Sequence, residues 1–297
     1  MPSYLRRNSI ALFHGTNYEV PLRGDCPSVI TVHDLSLLLH SSTHETRAVV
    51  RARLRLPRMA RRATLVITDS EAVRREVCEH LRVAPEKVIA IPLAPQTEFA
   101  PIPQALTAEV RKRLGVEDEF LLYAGTIEPR KNLVTLLKAF EEVLRTTSLR
   151  PQLVIAGRLG WKPNDGLMEL EKSVFKDRIK ITGYVTETDL CALYSSCRVF
   201  VYPSIYEGFG LPPLEAMACG APVIASAVPS VTSDVARVIE ATDVQALARH
   251  IVELLTDAKA REDLSAAGLK HAAKFSWAET AMLTREVYQE ALTRSAS

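Results

Sequence analysis

Along the chain, short runs of β-branched and aliphatic residues alternate with longer stretches in which apolar positions recur at helical spacing. The runs predict strands at Ile10–Phe13, Ser28–Val32, Leu65–Thr68 and Lys87–Ile91, and again at Phe120–Ala124, Gln152–Ala156, Ile179–Thr182, Val199–Tyr202 and Pro222–Ala225. The helical pattern fits Leu133–Arg145, Glu187–Ser196, Val244–Thr256 and Arg261–Phe275, and a last helix opens at Ser276-Trp277. This alternation predicts an α/β protein whose parallel sheets are joined by crossover helices. Between Pro92 and Pro103 lie four prolines and no helical pattern, so the stretch reads as an interdomain linker. Three segments follow: 1–103, 104–275 and a helix over 276–297. No internal repeat or low-complexity tract interrupts them.

The length of 297 residues suffices for two α/β domains with real cores. A net charge of +2 argues against a general polyanion partner, nucleic acid included. The five cysteines form no C-x-x-C pair and read as reduced thiols of a cytoplasmic protein. The chain has no run of roughly 18 apolar residues and no signal-peptide opening.

The richest stretch is Glu207-Gly-Phe-Gly-Leu-Pro-Pro-Leu-Glu215-Ala-Met-Ala-Cys-Gly220. Two carboxylates stand eight residues apart, at either end of a glycine-containing turn that runs into a helix. Pro212 and Pro213 suit its first turn and Gly220 the left-handed residue past its end. The amides of Phe209, Gly210 and Leu211 then face outward at a helix N-terminus, which favours an anion. Phosphate flanked by carboxylates that accept sugar hydroxyls describes a nucleotide-sugar site.

On this run, from Tyr202-Pro-Ser through Gly220, the chain resembles the family-4 retaining glycosyltransferases of GT-B fold, with their E-x7-E signature. The resemblance implies two Rossmann-like domains: residues 1–103 as the acceptor side, 104–275 as the donor side, and a helix at 276–297 crossing back to the first. Relatives carry further residues ahead of the segment similar to Ile10–Gly15. An incomplete N-terminal domain is therefore expected, with homodimerisation across its open strand edge, or a natural fragment of a longer protein, as the two explanations. The form Gly125-Thr-Ile-Glu-Pro-Arg-Lys-Asn132 resembles a mannosyl- and rhamnosyltransferase subgroup of surface polysaccharide synthesis.

Several single residues carry the expected chemistry. Arg130 and Lys131, in a loop after a strand, supply cations for a departing diphosphate; Gly125 and Thr126 open that loop. Arg158 ends the next strand, and Tyr184 and Val185 the one after; the resemblance places them at the nucleobase, with core packing as the plain alternative for Tyr184. It also assigns Glu207 to the donor sugar and Glu215 to the ribose. Thr31-Val-His33-Asp34 resembles the family's T-x-H-D segment, which implies a neutral His33 that meets sugar hydroxyls and is oriented by Asp34. His14 is a second candidate. His40 and His44 lack a third ligand, and no metal or other cofactor is expected.

Arg47 to Arg62 holds seven arginines and no acid, with Val49, Val50, Leu54 and Met59 on one helical side. That suits peripheral contact with the inner face of a membrane or with a lipid-linked acceptor; a solvated helix face is the plain alternative. Val228-Pro-Ser-Val-Thr-Ser-Asp234 departs from the family's L-P-E-V-x-G-D run. With the open N-terminal half, this departure supports a rival reading: a non-catalytic nucleotide-sugar binder, or a split transferase needing a partner.

Overall fold

The structure, a computed structural model, describes residues 2–158 and 165–296. In chain order the elements are α1 (Pro2–Arg7), β1 (Phe13–Gly15), β2 (Ser28–Val32), α2 (Ser36–Leu39), α3 (Thr46–Arg62), β3 (Leu65–Thr68), α4 (Glu71–Leu81), β4 (Val88–Ala90), α5 (Gln104–Leu114), β5 (Phe120–Ala124), α6 (Leu133–Thr146), β6 (Gln152–Ala156), α7 (Asp165–Lys172), β7 (Ile179–Gly183), α8 (Glu187–Ser196), β8 (Val199–Tyr202), α9 (Leu211–Ala218), β9 (Val223–Ser226), β10 (Arg237–Ile239), α10 (Val244–Thr256), α11 (Ala258–Ala272) and α12 (Trp277–Ala296). The chain forms two compact units. The first takes Met1–Leu93, Glu207–Phe209 and Ser276–Ser297; the second takes Ala94–Tyr206 and Gly210–Phe275.

The first unit is built on a four-stranded parallel sheet of order β1-β2-β3-β4. All of β2 and β3 is buried, as a parallel sheet covered on both faces requires. Alternate residues go to opposite faces: Ile30, Val32 and Val66 pack with Leu56, Met59, Val73 and Val77 of α3 and α4. Val29, Leu65 and Ile67 pack instead with Val287 and Ala291 of α12. The first strand falls later than the run Ile10–Phe13 predicts. Ser9 turns at φ 48° after α1, Ile10 is left exposed, and pairing with β2 begins only at Phe13 opposite Ser28.

The second unit carries a six-stranded parallel sheet of order β10-β9-β8-β5-β6-β7. Leu136, Phe140 and Val143 of α6, with Leu247 and Ile251 of α10, bury one face of β5, β6 and β8. α9 ends as its sequence suggests: Gly220 sits at φ +82°, its N–H reaches Met217 O, and the Ala221 N–H reaches Ala216 O. Six elements escape the sequence pattern: α1, α2, α4, α5, α7 and the short edge strand β10. The fourth predicted helix starts earlier than Arg261, at Ala258, because the Asp257 carboxylate caps it by accepting from the Ala260 N–H.

Candidate functional site

In the second unit the strand order reverses between β5 and β8, which are neighbours in the sheet although three strands apart in sequence. Doubly wound sheets open a crevice at such a switch point, outside the carboxyl ends of the strands. The loops leaving these two strands are tied together there. Ile205 N–H donates to Arg130 O (2.8 Å), Arg130 Nη1 to Tyr206 O (2.6 Å), and Lys131 Nζ to Tyr202 Oη (2.6 Å). Asn132, in the left-handed region at φ 57°, pins the junction. Its Nδ2 donates to Pro203 O and Ala241 O, and its Oδ1 accepts from Thr135. Gly125 and exposed Thr126 form the entry of this loop, whose Thr126 carbonyl accepts from Tyr123 Oη.

Arg130 has a partner that sequence reading missed. Its Nη2 lies 2.9 Å from Glu128 Oε1, and the two side chains are only 13% and 9% exposed. This buried pair fixes the guanidinium in place and offsets part of its charge. Lys131 Nζ also rests 5.1 Å from the centre of the buried Tyr202 ring.

At the start of α9, Gly210 adopts φ +100°, and a Cβ there would meet Val228 and Ser230 within 3 Å. A helix leaves its first N–H groups without internal partners, but Pro212 and Pro213 have none to offer. No side chain caps this end, so Gly210 and Leu211 supply its amides. Ser230, standing where the family's glutamate is usual, is buried and donates to Gly210 O (2.7 Å). The departed segment thus buttresses the loop. Further along α9, burial pushes the Glu215 carboxyl up to about 7, against the opposing pull of the Tyr194 hydroxyl, which donates to Oε2 at 3.5 Å. After β6 and β7, Arg158 stacks 4.4 Å over the ring of Tyr184. Tyr184 is 65% exposed, so core packing does not explain it, and Val185 beside it is half-buried.

In the first unit His33 follows β2, and its environment corrects the expected one. Nδ1 lies 2.8 Å from Asp69 Oδ2 and Nε2 lies 2.8 Å from Thr16 O. A carbonyl only accepts, so Nε2 carries a hydrogen; the carboxylate then draws one onto Nδ1 as well. The Asp69 hydrogen bond accordingly raises the imidazole above its ordinary value, although burial of Asp69 works against its own ionisation. His33 is engaged at both nitrogens, and its orienting acid is Asp69. Asp34 instead accepts from the Ser36 N–H. His14 is bonded at both nitrogens, to Tyr288 Oη and Thr31 Oγ1, and burial lowers it. Glu207 belongs to this unit with Gly208, whose carbonyl accepts from Ser70 Oγ (2.7 Å). A Cβ at Gly208 would lie 1.9 Å from His33 O, so the carboxylate's neighbour must be glycine.

The apolar side expected on α3 divides in two. Val49 and Met59 are core residues, whereas Val50 and Leu54 are 51% and 56% exposed. Among the described residues no cluster of His, Cys, Asp and Glu is arranged to hold a metal ion, and no helix is long and apolar enough to cross a membrane.

The family model described as glycosyl transferases group 1 matches residues 107–271, and that of glycosyltransferase family 4 matches residues 1–98. The O-antigen chain mannosyltransferase B of Escherichia coli is 35% identical over 283 residues, covering 94% of this chain and 74% of its own. The chain belongs to the group 1, family 4 glycosyltransferases. The serotype-specific mannosyltransferase WbdA of Escherichia coli is 32% identical over 294 residues, and there this glycosyltransferase spans only 36% of the relative's length. Among solved structures, sucrose-phosphate synthase from Thermosynechococcus elongatus has a TM-score of 0.78 at 24% identity, covering 99% of this chain and 76% of that one. Anabaena HepE, solved with UDP, has a TM-score of 0.74 at 20% identity over 89% of this chain and 72% of its own. These likenesses establish the GT-B fold of the transferase.

Proposed function

We propose that this glycosyltransferase moves a hexose, mannose by the names of its relatives, from a nucleoside-diphosphate sugar to a saccharide or lipid-linked acceptor, retaining the anomeric configuration. One observation carries the reading: Arg130, Lys131 and the Gly210 and Leu211 amides gather at the carboxyl ends of β5 and β8, where the strand order reverses. Cations and a helix N-terminus fixed in advance stabilise the charge that grows on a leaving diphosphate. In this reading the second unit is the donor side. Glu215 holds the ribose, and the Tyr184–Arg158 stack and Val185 line the nucleobase; Glu207, which belongs to the first unit, is assigned the sugar hydroxyls. The first unit is the acceptor side. His33, with both nitrogens engaged, acts as a positioning residue for the Thr16 turn. The scheme assigns the diphosphate's charge to protein groups and calls for no metal or other cofactor. Arg47, Val50, Leu54 and Arg58 share the outer face of α3; we assign peripheral contact with an anionic inner-membrane surface to them. A second copy of the chain is the partner proposed for the β1 edge.

Transfer is tested by incubating the chain with GDP-mannose, UDP-glucose or ADP-glucose and a panel of saccharide and lipid-linked primers, reading product mass and anomeric coupling. A hexose increment with α configuration from an α donor is expected. A β product would overturn retention, and nucleotide binding without transfer would favour the binder.

Glu215 gives this reading a pH signature. Ribose hydroxyls donate to the ionised carboxylate, but burial holds the free carboxyl near 7. Nucleotide affinity should therefore rise about tenfold per pH unit below that value and level off above it. Glu215→Gln should flatten the profile. Stability of the ligand-free fold runs the other way. The folded value lies above the ordinary 4.5, so the contribution is full below 4.5 and is lost as pH rises toward about 7.

A further inference from the structure

Two cavities open in the first unit beside α3, one of about 350 Å³ and one of about 610 Å³. They share Asn17, Glu19, Arg55 and Met59 as lining, so they form one groove. Each has the size of a small-molecule site. Arg51 lines the first lobe and Arg23 the second, so three guanidiniums face the groove against a single carboxylate, Glu19.

The arginines of α3 divide by what they do. Arg53 donates to Ser41 Oγ, Arg58 to Leu54 O, Arg61 to Leu81 O and Arg62 to Gly24 O. The two in the groove are spent differently. Among the described residues Arg55 pairs only with Glu19, at 3.5 Å, with both side chains about half exposed or more (47% and 63%), a pairing of little strength in water. Arg51 and Arg23 have no hydrogen bond or ion pair among the described residues. Arg51 and Arg55 are also one helical turn apart, a spacing at which like charges weaken a helix. Ala48 and Ala52 stand beside them and leave the groove open. Guanidinium forks collected without acceptors match phosphate oxygens, which they bind in pairs. At its other end the second lobe reaches His14, Gly15 and Thr16, and Thr16 O is the carbonyl that His33 engages.

We infer that this groove takes the acceptor by a phosphate ester, held by Arg51, Arg55 and Arg23, with the acceptor's sugar end toward Thr16. The inference rests on the reading of this unit as the acceptor side. It adds that the acceptor is anionic, and that Asn17 and Glu19 serve sugar hydroxyls between the two ends.

The test titrates inorganic pyrophosphate into the full chain saturated with the nucleoside diphosphate it binds, so that the donor site is closed to the probe. Phosphatidylcholine vesicles with and without a polyprenyl diphosphate form a second arm. Arg51→Ala/Arg55→Ala should weaken pyrophosphate binding about tenfold or more and leave nucleotide affinity unchanged. The charge-matched Arg75→Ala/Arg285→Ala, on exposed faces of α4 and α12, should bind pyrophosphate like the parent chain. Unfolding midpoints show whether each variant is folded, and Arg51→Lys/Arg55→Lys, which keeps the charge and loses the fork, should fall between. Loss confined to diphosphate-bearing vesicles would identify a lipid-borne phosphate; loss with soluble pyrophosphate as well would extend the site to soluble phosphate esters. Pyrophosphate binding that is absent, or equal in the Arg51/Arg55 variant and the parent, would overturn the inference while nucleotide binding stands. Loss of nucleotide binding in the parent chain would instead remove the reading on which it rests.

Discussion

Lys131→Ala should lower the rate of transfer about 100-fold. Its ammonium donates to the Tyr202 hydroxyl and lies over the Tyr202 ring, in the loop at the carboxyl end of β5. The rate loss is of the size found when one preorganised stabiliser of a developing anion is taken away. Arg130 should behave differently. Glu128 is 9% exposed and faces the guanidinium, so Arg130→Ala leaves a buried carboxylate unpaired and costs about 3 kcal/mol of stability as well as activity. Adding Glu128→Gln to Arg130→Ala should restore the midpoint without restoring transfer. Denaturant melts and initial rates on these variants separate the two roles. Recovery of transfer in the Glu128→Gln/Arg130→Ala chain would show that Arg130 serves the fold alone.

Glu207→Ala should abolish transfer, by about 1,000-fold or more, yet change nucleoside-diphosphate affinity only a few-fold. The sugar end and the diphosphate end of the donor use different groups in the proposed site. A group that acts mainly in the transition state lowers kcat without a matching change in ground-state binding. Glu207→Gln keeps the shape and removes the charge, and should retain donor binding with a smaller but still large rate loss. Titration calorimetry gives the affinity and a product assay gives the rate. Equal losses in both would assign Glu207 to holding the loop, whose Gly208 already sits against His33 O.

Much of this arrangement is legible in the chain because burial on both faces writes itself as β-branched runs. Ser28–Val32, Leu65–Thr68, Phe120–Ala124, Gln152–Ala156 and Val199–Tyr202 are strands with the bounds their composition gives. The short edge strand β10 carries no such run, since an edge strand needs less apolar sequence. Helix α4 was legible in retrospect from Ser70, whose hydroxyl accepts from the Val73 N–H as an N-cap. The partners of charged groups were not. Asp69 lies 36 residues from His33 and meets it only because β2 and β3 pair in register, with Val32 opposite Thr68. Asp34, the sequence neighbour, is drawn away by the Ser36 amide. The arginines of α3 show the same limit. Sequence gives a basic helix with some apolar positions; which of them meet the core, the groove or solvent depends on how the helix is rotated on its sheet. Val49 and Met59 turn inward, and Arg51 and Arg55 turn to the groove.

The measurement that bears most directly on the central claim is calorimetric titration of the chain with GDP, UDP and ADP, repeated on Lys131→Ala and on the Glu128→Gln/Arg130→Ala variant. The account predicts that one nucleotide binds in the micromolar range, and that binding weakens about tenfold or more in each variant. Affinity for that nucleotide undiminished in both variants would contradict the assignment of the β5–β8 switch point as the diphosphate site.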